Sequence, residues 1–184
     1  MGVNPWHRDA EDEMSERKQA VVAAALGASW SYIVLDFLLH AVVLAPWWRA
    51  TQAFWLPPLE LAKRIPFAYG AFVIYCASLT VLLTAVRGEQ PPVLTGLRFG
   101  AFVGIVFGVT SALAGYSVVQ MPTSFLLVGP ASTAIASAGA GAAAAWILSG
   151  HRRWRRVGVL FAAGLAFFVV GVVAQNALRI PRMG

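Results

Sequence analysis

SWSYIVLDFLLH, residues 29–40, lies within the first long apolar run of the chain, which extends from residue 20 to residue 45. The stretch places an acid, Asp36, and an imidazole, His40, in an otherwise apolar segment. A helix brings residues four apart onto one face, so both are predicted to face one side, with Tyr32 one turn earlier. A carboxylate near a bilayer centre costs roughly 2.5–3.5 kcal/mol, and it normally faces protein or water. The stretch therefore predicts a membrane-spanning helix that carries a polar site.

The composition predicts a membrane protein with one domain. Hydrophobic side chains make up 59% of the 184 residues and charged ones 12%, with a mean hydropathy of +0.69, which is too apolar for an ordinary soluble domain. The net charge of +6 arises from short loops between apolar runs, which favours the lipid bilayer as partner and argues against nucleic acid. The single cysteine, Cys76, excludes a disulfide framework and a paired-thiol redox motif.

The hydropathy pattern predicts an all-α bundle of five transmembrane helices, since a span needs about 20 apolar residues. The predicted spans are residues 20–45, 66–86, 99–119, 125–149 and 157–178, between a polar tail of residues 1–19 and a short tail of residues 179–184. Pro46 is predicted to end the first span. The tryptophan-rich residues 47–65 are predicted to form an interfacial connection. The acidic start of the chain argues against a cleaved signal peptide.

The charges of the loops predict the orientation of the bundle. Nine of the fourteen Lys and Arg residues fall on the side of the amino-terminal tail, and five fall on the opposite side. Basic loops are retained in the cytoplasm. We therefore expect the amino terminus in the cytoplasm and, with five spans, the carboxyl terminus outside.

The third predicted span carries a glycine at every fourth position. These glycines are Gly96, Gly100, Gly104 and Gly108. In a membrane such a face lets another backbone approach closely. The fourth span has a run of Ala, Gly and Ser over residues 131–145, so it is predicted to lie in the middle of the bundle and to contact the third. The pattern leaves open whether the glycine face meets the same chain or another one.

Polar residues of all five spans are predicted to lie at one depth in the outer half of the membrane. Asp36 is about 24 Å along the first helix from its cytoplasmic start. The residues placed at a similar depth are Tyr69, Tyr116, Gln120, Ser132, Thr133, Gln175 and Asn176. One interpretation is a shared, outward-facing pocket that binds a ligand or handles protons. The other is that each group bonds locally and that Asp36 and His40 satisfy each other.

No motif indicates catalysis. The chain has no nucleophile with a base and an orienting partner, no HExxH and no phosphate-binding glycine loop. Asp36 and His40 are two ligands, and a metal site would need a third, so no metal is predicted. The sequence indicates no particular cofactor, so this question stays unknown.

The basic turn between the last two spans is a candidate lipid site. It contains Arg152, Arg153, Arg155 and Arg156. Arginines near an anionic membrane surface gain about 1 kcal/mol each, so the turn is able to bind anionic headgroups. The alternative is that it serves only to retain the loop in the cytoplasm.

Three short segments carry a resemblance to a known family. They are LDFLLH (35–40), FWLP (54–57) and LRFG (97–100). On these segments, residues 22–148 resemble a family of small bacterial multi-pass membrane proteins of unknown activity. The resemblance implies four packed helices in the bacterial cytoplasmic (inner) membrane. The chain departs from the family in its acidic tail, in Gly129-Pro130 and in its fifth helix.

Two functions follow as expectations. The first is a non-enzymatic accessory or assembly subunit whose Gly/Ala-rich faces pack against another copy or a larger complex. The alternative is a small-molecule binder or transporter that uses the depth of Asp36 and His40 as its site.

Overall fold

The computed structural model describes the backbone of residues 5–177 and, from residue 14 onward, their side chains apart from those of residues 52 and 58. The described chain is all-helical. Its elements are α1 (Pro5–Leu38), a π-turn (Leu39–Val43), α2 (Ala45–Ala50), a 3-10 turn (Gln52–Phe54), α3 (Pro58–Arg87), α4 (Val93–Val118), α5 (Phe125–Leu148) and α6 (Arg153–Ala177). Five helices are long and apolar enough to span a membrane, which confirms the predicted class. Residues 1–4 and 178–184 of the predicted tails lie outside the described residues.

The first helix ends differently from the prediction. The α-helical bonds stop at Leu38, and the π-turn follows, with the Leu44 amide donating to the Leu39 carbonyl at 2.7 Å. Pro46 lies in the first turn of α2 and thus belongs to its start. This placement is favourable because the N–H that proline lacks has no partner in the first turn of a helix.

Four helices begin before the predicted spans: α1, which includes residues 5–19 of the predicted tail, α3, α4 and α6. α3 starts at Pro58 and includes Pro66, which was predicted to begin the span. Its first turns carry an ion pair in which Lys63 Nζ lies 2.8 Å from Glu60 Oε1. Hydropathy detects the apolar part of a helix and misses its polar extension. The interfacial connection is accordingly shorter than residues 47–65, and it consists mainly of α2 and the 3-10 turn.

α1 and α5 form the centre of the bundle. α5 packs extensively against both α4 and α1, while α3 and α6 lie mainly against α1. α5 is the most buried of the five spanning helices, which confirms its predicted central position. Its small side chains allow it to be covered on several sides.

The glycine face of α4 packs against α5 of the same chain. The buried residues of α4 are Gly96, Gly100, Gly104, Gly108 and Ala112. A Cβ atom on Gly100 would overlap the Ser137 carbonyl oxygen, and one on Gly104 would lie 2.6 Å from Ser137 Cβ. A Cβ on Gly108 would lie 2.7 Å from Pro130 Cα. The predicted contact between the third and fourth spans is confirmed, and the glycines are needed for it.

Candidate functional site

Asp36 and His40 form the pair that their spacing predicts. His40 Nδ1 lies 3.1 Å from Asp36 Oδ1 and 2.9 Å from the Asp36 carbonyl oxygen. Because both neighbours are acceptors, Nδ1 carries the proton and donates it. This leaves the Nε2 lone pair of a neutral imidazole pointing away from the pair. The side chains of His40 and Asp36 are 26% and 24% exposed, so the pair is only partly enclosed.

His40 belongs to the π-turn, where the regular helical hydrogen bonding changes. Gln175 Nε2 on α6 donates to the carbonyl oxygen of Ala41 at 2.7 Å. π-turns inside helices are frequent at functional sites. Gln175 therefore contacts the residue that follows His40, and its part in a shared site stays a prediction. Asn176 donates to the Val172 carbonyl of its own helix at 2.9 Å.

A tryptophan cluster, defined as Trp47, Trp48 and Trp55, lies next to His40. The Trp48 ring meets the imidazole edge-on, with 5.2 Å between ring centroids. It also packs on Trp55 at 4.3 Å and on Trp47 at 5.2 Å. Trp47 and Trp55 in turn contact Phe125 at the start of α5. The cluster thus links the end of α1 to α5.

The indole nitrogens of the cluster differ in their partners. Trp47 Nε1 donates to Ser124 Oγ and Trp55 Nε1 to Thr51 Oγ1, each at 3.0 Å. Trp48 Nε1 is buried and has no hydrogen-bond partner among the described residues. The residue that touches His40 is therefore the one whose donor is unsatisfied.

Tyr32 shows which way the polar face of α1 points. Its side chain is only 4% exposed. The Tyr32 ring packs against Phe72 and Tyr75 of α3, at centroid distances of 4.8 and 5.7 Å. The Tyr75 hydroxyl is hydrogen-bonded to Ser137 Oγ of α5 at 2.9 Å. Asp36, one turn after Tyr32, therefore continues the face that α1 presents to α3.

Tyr116 and Gln120 lie elsewhere. They line a groove of about 480 Å³ at the end of α4, together with Phe54 and with neither Asp36 nor His40. Equal depth did not bring them to the pair, because α4 packs on α5 and not on α1. Ser132 and Thr133 each donate to the Gly129 carbonyl within α5, at 2.9 Å.

Sequence reasoning missed Tyr75 and Ser137 as neighbours of the site. Tyr75 stands in a stripe with Phe72 and Tyr69, a signal that spacing alone was able to supply. Ser137 is one hydroxyl among many small residues of α5, and nothing in the sequence distinguishes it.

The four arginines of the basic turn divide between two cavities. Arg156 Nη1 donates to the Trp146 carbonyl and lies 3.2 Å from Ser149 Oγ, and its guanidinium stacks over the Trp146 ring. A cation at this point is favourable because the carbonyl end of α5 is negative. Arg152 and Arg155 are exposed and line a cavity with Arg156.

Arg153 lines a different cavity, of about 440 Å³, near the amino-terminal end of the described chain. Arg17 and Glu89 line the same cavity and form an ion pair at 2.9 Å. Both partners are more than half exposed, so the pair contributes little stability. It nevertheless joins α1 to the loop between α3 and α4.

Within the part of the chain that the structure describes, no group of three or more His, Cys, Asp or Glu residues is placed to hold a metal ion. No protein-family model matches the chain, and no curated protein or solved structure matches it either. The fold therefore defines the class, a multi-pass helical membrane protein in contact with lipid. The resemblance of residues 22–148 stays a prediction.

Proposed function

We propose that this protein is a non-enzymatic membrane protein that binds protons or a small polar ligand at the Asp36–His40 pair. The observation that carries the proposal is the geometry of His40. Its Nδ1 is held by two oxygens of Asp36, which fixes the tautomer and presents Nε2. A carboxylate that orients an imidazole in this way prepares the other nitrogen for a proton or a hydrogen-bond donor.

The surroundings of the pair support a binding role over a closed structural one. Asp36 Oδ2 and His40 Nε2 have no hydrogen bond to any described residue, and both side chains are about one quarter exposed. The Trp48 ring of α2 meets the imidazole of His40, and Gln175 of α6 donates to the carbonyl of Ala41, the next residue. Two further elements of the fold thus contact the π-turn that carries His40.

Nitrogen NMR of the imidazoles tests this proposal. In lipid nanodiscs, we expect neutral His40 to show the Nδ1-protonated form, because both oxygens near Nδ1 are acceptors. Asp36→Asn should change the balance of tautomers, because one of the two acceptors of Nδ1 is then an amide. The matched control is His151→Gln, which removes an exposed histidine far from the pair. A His40 signal without the Nδ1-protonated form, together with no retained small molecule in native mass spectrometry, would contradict the proposal.

A second candidate, an accessory subunit of a larger membrane complex, is favoured by one surface. Residues 59–71 of α3 are all exposed, with Phe67 at 80% and Leu59 at 71%. The glycine face of α4 is already used within the chain, so a partner would meet this half of α3.

Photo-crosslinking tests the second candidate. A photoreactive phenylalanine at Phe67 should give a discrete crosslinked product in the native membrane. The same probe at Phe102, 66% exposed on α4, should react only with lipid. Equal products at both positions would argue against a partner at α3.

A further inference from the structure

A groove runs between α5 and α6 on the membrane-facing side of α1. Both helices pack against α1 but have little contact with each other. The space between them is about 330 Å³ and is almost wholly apolar. Small residues line it, among them Gly139 and Ala142 of α5 and Ala163 of α6, while Phe167 lies further along α6. Its apolar lining suits an acyl chain.

A basic cavity of about 470 Å³ adjoins this groove. His151, Arg152, Arg155 and Arg156 line it, and no acid does. Trp146 lines both the cavity and the groove, so the two meet at this side chain. An apolar channel thus ends in a concentration of positive charge at the boundary of the membrane.

The cavity is organised before any ligand arrives. Arg156 is held by the Trp146 carbonyl, by Ser149 Oγ and by the Trp146 ring. A Cβ atom on Gly150 would overlap the Arg156 guanidinium, so the backbone of the turn closes around it. The amino-terminal end of α6 begins at Arg153 and adds the positive end of its dipole.

We propose that this cavity and groove bind one anionic phospholipid. The phosphate lies between Arg152 and Arg155, and one acyl chain lies along the small residues between α5 and α6. Positive charge without a counter-charge selects an anionic headgroup, and the adjoining apolar groove selects a lipid over a soluble phosphate. The site contains neither Asp36 nor His40, so the lipid proposal does not depend on the function proposed for that pair.

Native mass spectrometry with defined lipids tests the headgroup. The purified chain should retain one phosphatidylglycerol in preference to phosphatidylcholine. The double variant Arg152→Gln/Arg155→Gln should weaken that retention about thirtyfold. Each arginine near an anionic headgroup strengthens binding about fivefold, and the two contributions multiply. The control, Arg87→Gln/Arg98→Gln, removes the same charge from exposed positions outside the cavity. Equal loss in both double variants would overturn the proposal.

Filling the groove tests the acyl chain. Ala163→Leu should reduce retention of the whole lipid, while Ala114→Leu, at an exposed position on α4, should not. Excess inorganic phosphate should fail to displace the lipid from the wild-type chain. Displacement by phosphate, with no effect of Ala163→Leu, would overturn the lipid assignment and indicate a site for soluble phosphate.

Discussion

At the scale of single residues, two kinds of position decide how this protein holds together. Gly100 is a position where any side chain meets backbone, because α5 approaches closest there. Trp48 is a position where a side chain fits but its donor is left without a described partner. Gly100 depends on a neighbour distant in sequence, Ser137, whereas the ring contacts of Trp48 lie within eight residues of it.

Gly100→Ala is expected to destabilise the protein by about 1–3 kcal/mol, the usual cost of overpacking. The added Cβ would overlap the Ser137 carbonyl oxygen, and backbone cannot move aside as a flexible side chain can. Denaturant unfolding in mild detergent measures the change. Gly158→Ala on α6 is the control, because a Cβ there meets nothing within 4 Å. Similar stability of the two variants would show that α4 and α5 do not pack this closely.

Trp48→Phe is expected to cost less stability than Trp47→Phe. Trp47 loses a hydrogen bond to Ser124 Oγ, worth about 0.5–1.5 kcal/mol, whereas Trp48 loses only an unsatisfied buried donor. Thermal unfolding of both variants in nanodiscs provides the comparison. The opposite ranking would mean that Trp48 Nε1 has a partner in the membrane.

At the scale of elements, the π-turn decides what surrounds His40. A π-turn holds one more residue than an α-helical turn, so it rotates everything after it relative to α1. Here α2 follows at once and carries Trp48 to the imidazole. The placement of Gln175 against the Ala41 carbonyl depends on the same irregularity.

Deleting Val43 is expected to replace the π-turn by regular helix and to rotate α2 by about 100° about the axis of α1. The contact between His40 and Trp48 should be lost, and the tryptophan emission should change as the cluster moves away from the imidazole. Val43 is 65% exposed, so the loss of its side chain matters little, and Val43→Ala serves as the control. An emission spectrum identical to that of Val43→Ala would show that the turn does not orient the cluster.

At the scale of the whole molecule, α1 and α5 hold the other helices while the outer surfaces face lipid. The hydrogen bond between Tyr75 and Ser137 ties α3 to α5, and Trp30 Nε1 donates to the Leu160 carbonyl at 3.1 Å to tie α1 to α6. α5 and α6 contact each other little, which leaves the proposed lipid groove. The ends of this bundle should face opposite sides of the membrane.

Cysteine labelling tests the predicted orientation. Thr123→Cys should react with a membrane-impermeant maleimide in intact cells, and His151→Cys should react only after permeabilisation. Both positions are exposed, whereas the native Cys76 is fully buried and supplies a low background. Labelling in the reverse order would place the basic turn outside the cell and contradict the orientation predicted from the positive-inside rule.

Much of the fold could be predicted from the local pattern of residues in the sequence. The five spans, the face shared by Asp36 and His40, and the glycine face of α4 all follow from the spacing of residues along a helix. The starts of α3 and α4 were harder to predict, because charged residues interrupt the apolar signal at residues 58–65 and 93–98 while the helix continues.

The sequence by itself thus determined the class of the protein and the faces of its helices, since backbone hydrogen bonds fix the helical repeat whatever the neighbours are. The tertiary structure decided which faces meet. It decided that the glycine face of α4 meets α5 of the same chain, placed Trp48 beside His40 and Gln175 on the Ala41 carbonyl, and left Tyr116 at a separate groove. Packing between segments far apart in the chain depends on the fit of whole surfaces, and helical spacing carries no record of that fit.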